Sequence, residues 1–284
     1  MKRYNFKKRL VIGSANFSQI YGTFPIRVKK NEIEKILNFS LKNNIDTIDT
    51  AEAYLEKNKI FQNNKKFKLL TKITPDTNWT SLEFCQKKID NHLKNLNKNK
   101  VDVIFFHDIK ILLKKDGIKI FKNLELLKKK YFNKIGFSIY DTNNLEYLSE
   151  NYNFDVIQCP YNILDKRIIN SGWFDKLKYK DKEIYVRSIF LQGILVNESI
   201  YQKKYFKKWQ NLFSYWFKYL EKNNISAIEY CFSDIINYGF DKIIVGINSM
   251  ENLKEILNFK KIEKKKIKNF EINDLKLIDP RNWK

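Results

Sequence analysis

Only three cysteines, Cys85, Cys159 and Cys231, stand among 284 residues. They are odd in number and have no CxxC spacing, so neither a disulfide framework nor a structural zinc site is expected, and a reducing compartment is. Proline and glycine are scarce, at four and eight. The chain therefore has no Pro/Gly linker to divide it and no GxGxxG turn after its first apolar run. No hydrophobic run approaches the roughly 20 residues that span a bilayer. The basic start, MKRYNFKKRLVIGSANFS, lacks the long apolar stretch and small-residue cleavage site of a signal peptide. A soluble cytoplasmic protein with no membrane partner is expected.

Arginine is scarce as well. Of 54 basic residues 48 are Lys and six are Arg, and against 32 acidic residues they leave a net charge of +22. Charge of this size suggests nucleic acid. Specific recognition of phosphates and base edges, however, favours the bidentate guanidinium fork. A solvated lysine coat is the expected reading, with no nucleic-acid partner, and the coat would still attract an anionic cofactor or substrate.

What is abundant is core material: 43% of the residues are hydrophobic. A chain this long buries about three quarters of its unfolded surface and suits one α/β barrel, which needs roughly 250 residues. Eight β-rich apolar runs recur, at Leu10–Ala15, Thr47–Thr50, Lys68–Ile73, Val101–His107, Lys134–Ile139, Asp155–Cys159, Ile184–Ile189 and Lys242–Ile247. They read as near-continuous apolar segments, as buried parallel strands do. Amphipathic helical stretches lie between them. Asn31–Lys42 turns Ile33, Ile36, Leu37 and Ser40 to one side. The next is capped by Thr80 or Ser81, with Leu82, Cys85, Ile89 and Leu93 inward. Ile118–Lys130, Asn143–Glu150, Asp165–Lys178, Ser226–Tyr238 and Met250–Phe259 continue the series. The expected fold is α/β, a single-domain (β/α)8 TIM barrel over residues 1–284, with an open doubly wound sheet as the alternative. The longest connection, an extended aromatic-rich loop at 196–223, carries Tyr201, Tyr205, Phe206, Trp209, Phe213, Tyr215, Trp216 and Phe217. It is expected either to pack as core or to cap the barrel mouth.

Catalysis in such a barrel gathers at the C-terminal strand ends. The second run ends with Asp49 and is followed by Tyr54, the third carries Lys72, and the fourth ends with His107. Each has an ordinary structural role open to it: Lys72 can snorkel and Tyr54 can pack. His92, amid Lys and Asn, reads as a surface residue. Together, a carboxylate, a phenol, an ammonium and an imidazole on adjacent strand ends point to chemistry. Burying Lys72 needs a counter-charge, and Asp49 supplies it. A phenol titrating near about 10 is a weak acid at neutral pH, and a neighbouring ammonium strengthens it. The set suits proton delivery to a carbonyl oxygen that His107 orients.

In order and position, Asp49, Tyr54, Lys72 and His107 resemble the catalytic tetrad of the aldo-keto reductases. The resemblance runs from RLVIGSANF to the terminal IDPRNWK and is strongest toward bacterial members with a GTANFG-like first strand and a QxPYNxLD sixth strand. It implies a nicotinamide cofactor, NADP(H) foremost and NAD(H) as the alternative, lying across the barrel mouth. Gly13, Ser14 and Asp49 would then line the nicotinamide ribose region, and Ser138 and Gln158 would hold the carboxamide. Ser188, Leu191 and Gly193 would hold the pyrophosphate, and Gly246, Asn248 and Ser249 the adenosine phosphate, where a helix start offers free N–H groups. Three positions depart from the family pattern. Ile139 stands where an Asn is common. Arg187 replaces the aromatic that stacks on nicotinamide, though its guanidinium can also stack. Asn252 replaces the arginine that grips the 2′-phosphate, leaving Lys254 or other lysines as substitutes.

The expected function is reduction of an aldehyde or ketone, a small-molecule carbonyl substrate, by an NAD(P)H-dependent monomer or weak homo-oligomer with Tyr54 as general acid and no metal. Two alternatives stand beside it: a barrel lyase or aldolase using Lys72 as a Schiff-base nucleophile, and a cofactor-binding regulatory subunit without fast turnover.

Overall fold

Eight strands pair in chain order, all in parallel, and the last pairs with the first. They are β1 (Leu10–Gly13), β2 (Thr47–Asp49), β3 (Lys68–Ile73), β4 (Val101–Phe106), β5 (Phe132–Ser138), β6 (Val156–Pro160), β7 (Glu183–Arg187) and β8 (Lys242–Gly246). The computed structural model describes residues 6–18, 22–23, 27–55 and 66–283; the first five residues of the basic start lie outside them. The principal helices are α1 (Lys30–Lys42), α2 (Leu82–Asn95), α3 (Gly117–Leu127), α4 (Leu145–Asn151), α5 (Trp173–Tyr179), α6 (Gln210–Lys222), α7 (Ala227–Ile236) and α8 (Met250–Asn258). The chain is a (β/α)8 barrel; because the sheet closes, the doubly wound alternative falls away.

Successive side chains on a strand point to opposite faces, and this sorts the core into two shells. Val11, Leu70, Val103, Phe105, Val156, Tyr185 and Ile244 fill the barrel interior. Their neighbours in sequence, among them Ile12, Leu69, Ile104, Ile157, Ile184, Val186 and Ile243, face outward into the main cluster beneath the helices. Such strands are apolar on both faces, which is why they read as unbroken runs. Gly136, on the interior face of β5, has no room for a side chain: a Cβ there would lie 2.1 Å from the Val156 carbonyl oxygen.

Several local expectations need correction. The helix expected over Asp165–Lys178 is two, Arg167–Asn170 and α5, because Gly172 between them adopts a left-handed φ of 74°. Ser81, not Thr80, caps α2, accepting from the Phe84 N–H. Leu82 sits in that first turn and is 41% exposed, whereas Cys85, Ile89 and Leu93 are buried as expected. His92, expected at the surface, is buried beside Leu93 and bonds Thr71 Oγ1 through Nε2 at 2.8 Å.

The segment 196–223 is not an extended loop. It folds into short helical turns and then α6. Phe206, Trp209, Phe213 and Trp216 are buried, with Leu191, Ile194, Leu195, Phe270 and Leu277, in a second apolar cluster beside the barrel. None of the eight aromatics named there lines the barrel-mouth cavity, so the core reading holds for these four, while Tyr215 is exposed.

Candidate active site

The strand register that fills the barrel also builds its rim. One step beyond the interior layer, on the same faces, stand Gly13, Asp49, Lys72, His107, Ser138, Gln158, Arg187 and Gly246. A cavity of about 350 Å³ opens above them, and all of these except Gln158 line it. Lys72 and Asp49 are nearly solvent-free, at 4% and 8% side-chain exposure, and their Nζ and Oδ2 atoms are 2.5 Å apart. Lys72 also reaches the Thr50 carbonyl at 3.4 Å. The other carboxylate oxygen, Asp49 Oδ1, accepts from Gln158 Nε2 at 2.8 Å. Burial pulls the Lys72 proton affinity down, and Asp49 works against that loss. A buried ion pair of this kind is held by geometry and extra hydrogen bonds, and either partner alone would be a costly buried charge.

Tyr54 reaches the same cavity from the short helical turn Glu52–Leu55 that follows β2. Its ring stands edge-on to His107, with centroids 6.4 Å apart and planes at 84°. His107 continues β4, its N–H donating to the Ile73 carbonyl at 2.8 Å. Burial, then the cations Lys72 and Arg187, push its proton affinity below the ordinary imidazole value. It is therefore neutral at pH 7, with one ring N–H to donate.

The opposite wall is a strained loop. After β7, Ser188 (φ 62°), Leu191 (45°) and Gln192 (54°) all lie in the left-handed region, with Gly193 at 92°. Non-glycine residues hold such angles only where the surroundings impose them. Here Leu191 is buried in the second apolar cluster, and Trp216 Nε1 donates to the Leu195 carbonyl at 3.0 Å. From the β1 side, the Thr23 N–H donates to the Gln192 carbonyl at 3.2 Å, joining the two loops. The far end is formed by β8 and the start of α8, where Ser249 caps the helix by accepting from the Asn252 N–H.

Of the residues singled out in the sequence, Gly13, Ser14, Asp49, Tyr54, Lys72, His107, Ser138, Arg187, Ser188, Gly193, Gly246, Asn248 and Asn252 line this one cavity. Gln158 stands behind Asp49, Leu191 is turned into the apolar cluster, and the Ser249 side chain is spent on the helix cap. Neither Leu191 nor Ser249 lines the cavity. Lys254 is exposed and lies over the Phe39 ring instead of lining the cavity. Sequence reading missed Asn16, Tyr140 and Gln192, which also line it. Asn16 follows the β1 strand end closely enough to have been suspected; Gln192 depends on a left-handed backbone that no pattern announces.

The residues present suit a nicotinamide dinucleotide. Ser14 Oγ, Asn16 Oδ1 and Gln158 Oε1 are buried with no hydrogen-bond partner in the structure, and buried polar atoms are ordinarily paired. Ser14 and Asn16 line the cavity, and an elongated ligand rich in amide and hydroxyl groups along this floor would pair them.

The sequence profile of the aldo/keto reductase family matches residues 9–276. A comparison with curated protein sequences finds no match. Among solved structures, the fold is similar to the glycerol dehydrogenase of Gluconobacter oxydans, with a TM-score of 0.68 and 15% identity over 91% of this chain and 88% of that one. It is likewise similar to the holo form of an aldo-keto reductase from Bacillus halodurans, with a TM-score of 0.70 and 16% identity over 92% and 90%. At these identities the structural likeness speaks to the fold.

Proposed function

The chain belongs to the aldo/keto reductase family, and from that premise we propose that it is an oxidoreductase reducing an aldehyde or ketone with a nicotinamide dinucleotide, with Tyr54 as general acid. The observation that carries this reading is the buried Lys72–Asp49 pair on the floor of a cavity it shares with Tyr54 and His107. When bound, the dinucleotide supplies the hydride to the carbonyl carbon. Tyr54 gives its proton to the carbonyl oxygen, and the Lys72 ammonium stabilises the phenolate left behind. Asp49 keeps Lys72 charged against the desolvation that would neutralise it, and Gln158 fixes Asp49 from behind. Neutral His107 donates its N–H to the carbonyl oxygen and sets the angle of approach. Ser138 would hold the carboxamide, and Asn16 and Ser14 the adjoining ribose. The main chain of the Ser188–Gly193 loop would hold the pyrophosphate.

Between the two dinucleotides, three observations favour NAD(H) over the NADP(H) first expected. Asn252 faces the cavity where the family pattern has an arginine, and Lys254 is turned onto Phe39. In addition, Glu32 Oε1 accepts from the Met250 N–H at the first turn of α8, at 2.8 Å, and that bond holds its proton affinity low. A carboxylate at this helix start competes with a 2′-phosphate for the same N–H groups and repels it.

Quenching of tryptophan fluorescence on titration with NADH and with NADPH tests the proposal. Saturable quenching by NADH, at least 10-fold tighter than by NADPH, is expected. No saturable binding of either would remove the reductase reading, and tighter NADPH binding would reverse the assignment of preference alone.

A further inference from the structure

The cavity wall carries a cation that the chemistry above does not use. Among the described lining residues Asp49 is the carboxylate, and Lys72 and Arg187 are the basic side chains besides His107. Asp49 is committed to Lys72 and Gln158. Among the described residues, Arg187 has no carboxylate within ion-pair distance: Nη2 donates to the Ile139 carbonyl at 3.0 Å, and Nη1 lies 3.5 Å from the Ser188 hydroxyl. It is half-buried at the end of β7 and close enough to the reacting groups to lower the proton affinity of both Lys72 and His107.

The guanidinium is also held in place. Its Cζ lies 4.4 Å from the centroid of Tyr140, and Arg281 approaches the same ring, with its Cζ at 4.0 Å. Arg281 is itself neutralised, bonding both carboxylate oxygens of the buried Asp279. A stack running Arg281, Tyr140, Arg187 thus braces one cation, already satisfied, behind a second that is not. Rigid, partly desolvated and unpaired, Arg187 meets the requirements for gripping a carboxylate or phosphate in a fixed orientation.

Resting on the oxidoreductase reading, we propose that the substrate is an anionic carbonyl compound whose carboxylate or phosphate is bound by Arg187. The cofactor's pyrophosphate is assigned to the main chain of the Ser188–Gly193 loop, which leaves the Arg187 side chain, coupled to Lys72 and His107, to the substrate. Aromatic stacking on Tyr140 still leaves the guanidinium edge to bond an anion.

The test is a ratio. For the wild type, kcat/KM is measured for 4-oxobutanoate against butanal, and for glyceraldehyde 3-phosphate against glyceraldehyde. A preference of roughly 10- to 100-fold for the charged member of at least one pair is expected, the size of a charge-assisted hydrogen bond, and the pair that shows it tells carboxylate from phosphate. Arg187→Gln should bring that ratio close to one whatever it does to both rates alike, and Arg187→Lys should keep an intermediate ratio. A wild-type ratio near one, or one that Arg187→Gln leaves unchanged, overturns the proposal. Calorimetric titration with succinate and inorganic phosphate, with NAD+ present, gives a second readout that needs no turnover. At least one of these anions should bind, and at least 10-fold more weakly to Arg187→Gln. Anion binding that ignores the substitution, or is absent, also overturns it. Should no aldehyde be reduced while the Arg187-dependent binding persists, the anion site stands and the oxidoreductase reading falls.

Discussion

The two sides of the cavity are built differently. On one side, Asp49, Lys72 and His107 stand on strand ends, their directions dictated by the pleat and their neighbours by barrel register. On the other, residues 188–193 form a loop with three non-glycine residues at positive φ, held by an apolar cluster outside the barrel. Groups that must keep a charge or proton at a fixed point sit on the rigid framework. Groups assigned to ligand holding sit where the backbone itself presents its amides, at the cost of local strain. Substitutions on the strand side should therefore act on kcat, and those on the loop side on cofactor affinity.

The largest effect is expected for Lys72→Met, which strands Asp49 as an unpaired buried charge. Turnover should be lost, and unfolding by urea should show a destabilisation of about 3–5 kcal/mol. A stable Lys72→Met protein that still turned over would break the strand-side half of the comparison. Next is pH. The proton affinity of His92, buried behind β3 against Thr71, falls from 6.5 to about 4 because burial penalises its charged form. The unfolded chain then takes up the proton first, so stability is full above about pH 6.5 and is lost as pH falls toward 4. Urea midpoints should show His92 costing about 2 kcal/mol between pH 7 and pH 5, and His92→Gln should remove that share of the loss. Identical pH profiles for the two proteins would show that His92 is not the titrating group.

On the loop side, Trp216→Phe leaves the Leu195 carbonyl without its donor and should cost about 1–2 kcal/mol. It should weaken NADH binding while kcat at saturation stays near normal. A fall in kcat with unchanged binding would invert the comparison. Smallest is Gln192→Gly, where relief of the left-handed strain offsets the added freedom of the unfolded chain. Stability should change by less than about 1 kcal/mol, and a larger loss would mean that the Gln192 side chain itself holds the loop.

This division also decides what the sequence could reveal. The eight strands are legible to within two residues at either end, because burial on both faces leaves an apolar run. The reacting groups are legible because Asp49, Lys72 and His107 fall at or near the C-terminal ends of those runs, where a barrel gathers its chemistry. His92 was misread because its polar neighbours in sequence face solvent while it alone turns inward with Leu93, a matter of helix phase. The sequence leaves 196–223 open between core and lid because aromatic spacing gives a helix face but not what it packs against. Gln192 and Tyr140 were missed because a left-handed backbone and an Arg–Tyr–Arg stack join residues far apart in the chain.

Tyr54→Phe tests the central claim most directly, by stopped-flow NADH oxidation against a reactive aldehyde, with cofactor affinity measured by tryptophan quenching on the same sample. Loss of the proton donor should slow hydride transfer by roughly 10²- to 10⁴-fold, with the dissociation constant for NADH changed less than about threefold. Transfer at near wild-type rate would contradict Tyr54 as the acid and, with it, the chemical role assigned to the Lys72–Asp49 pair beneath it.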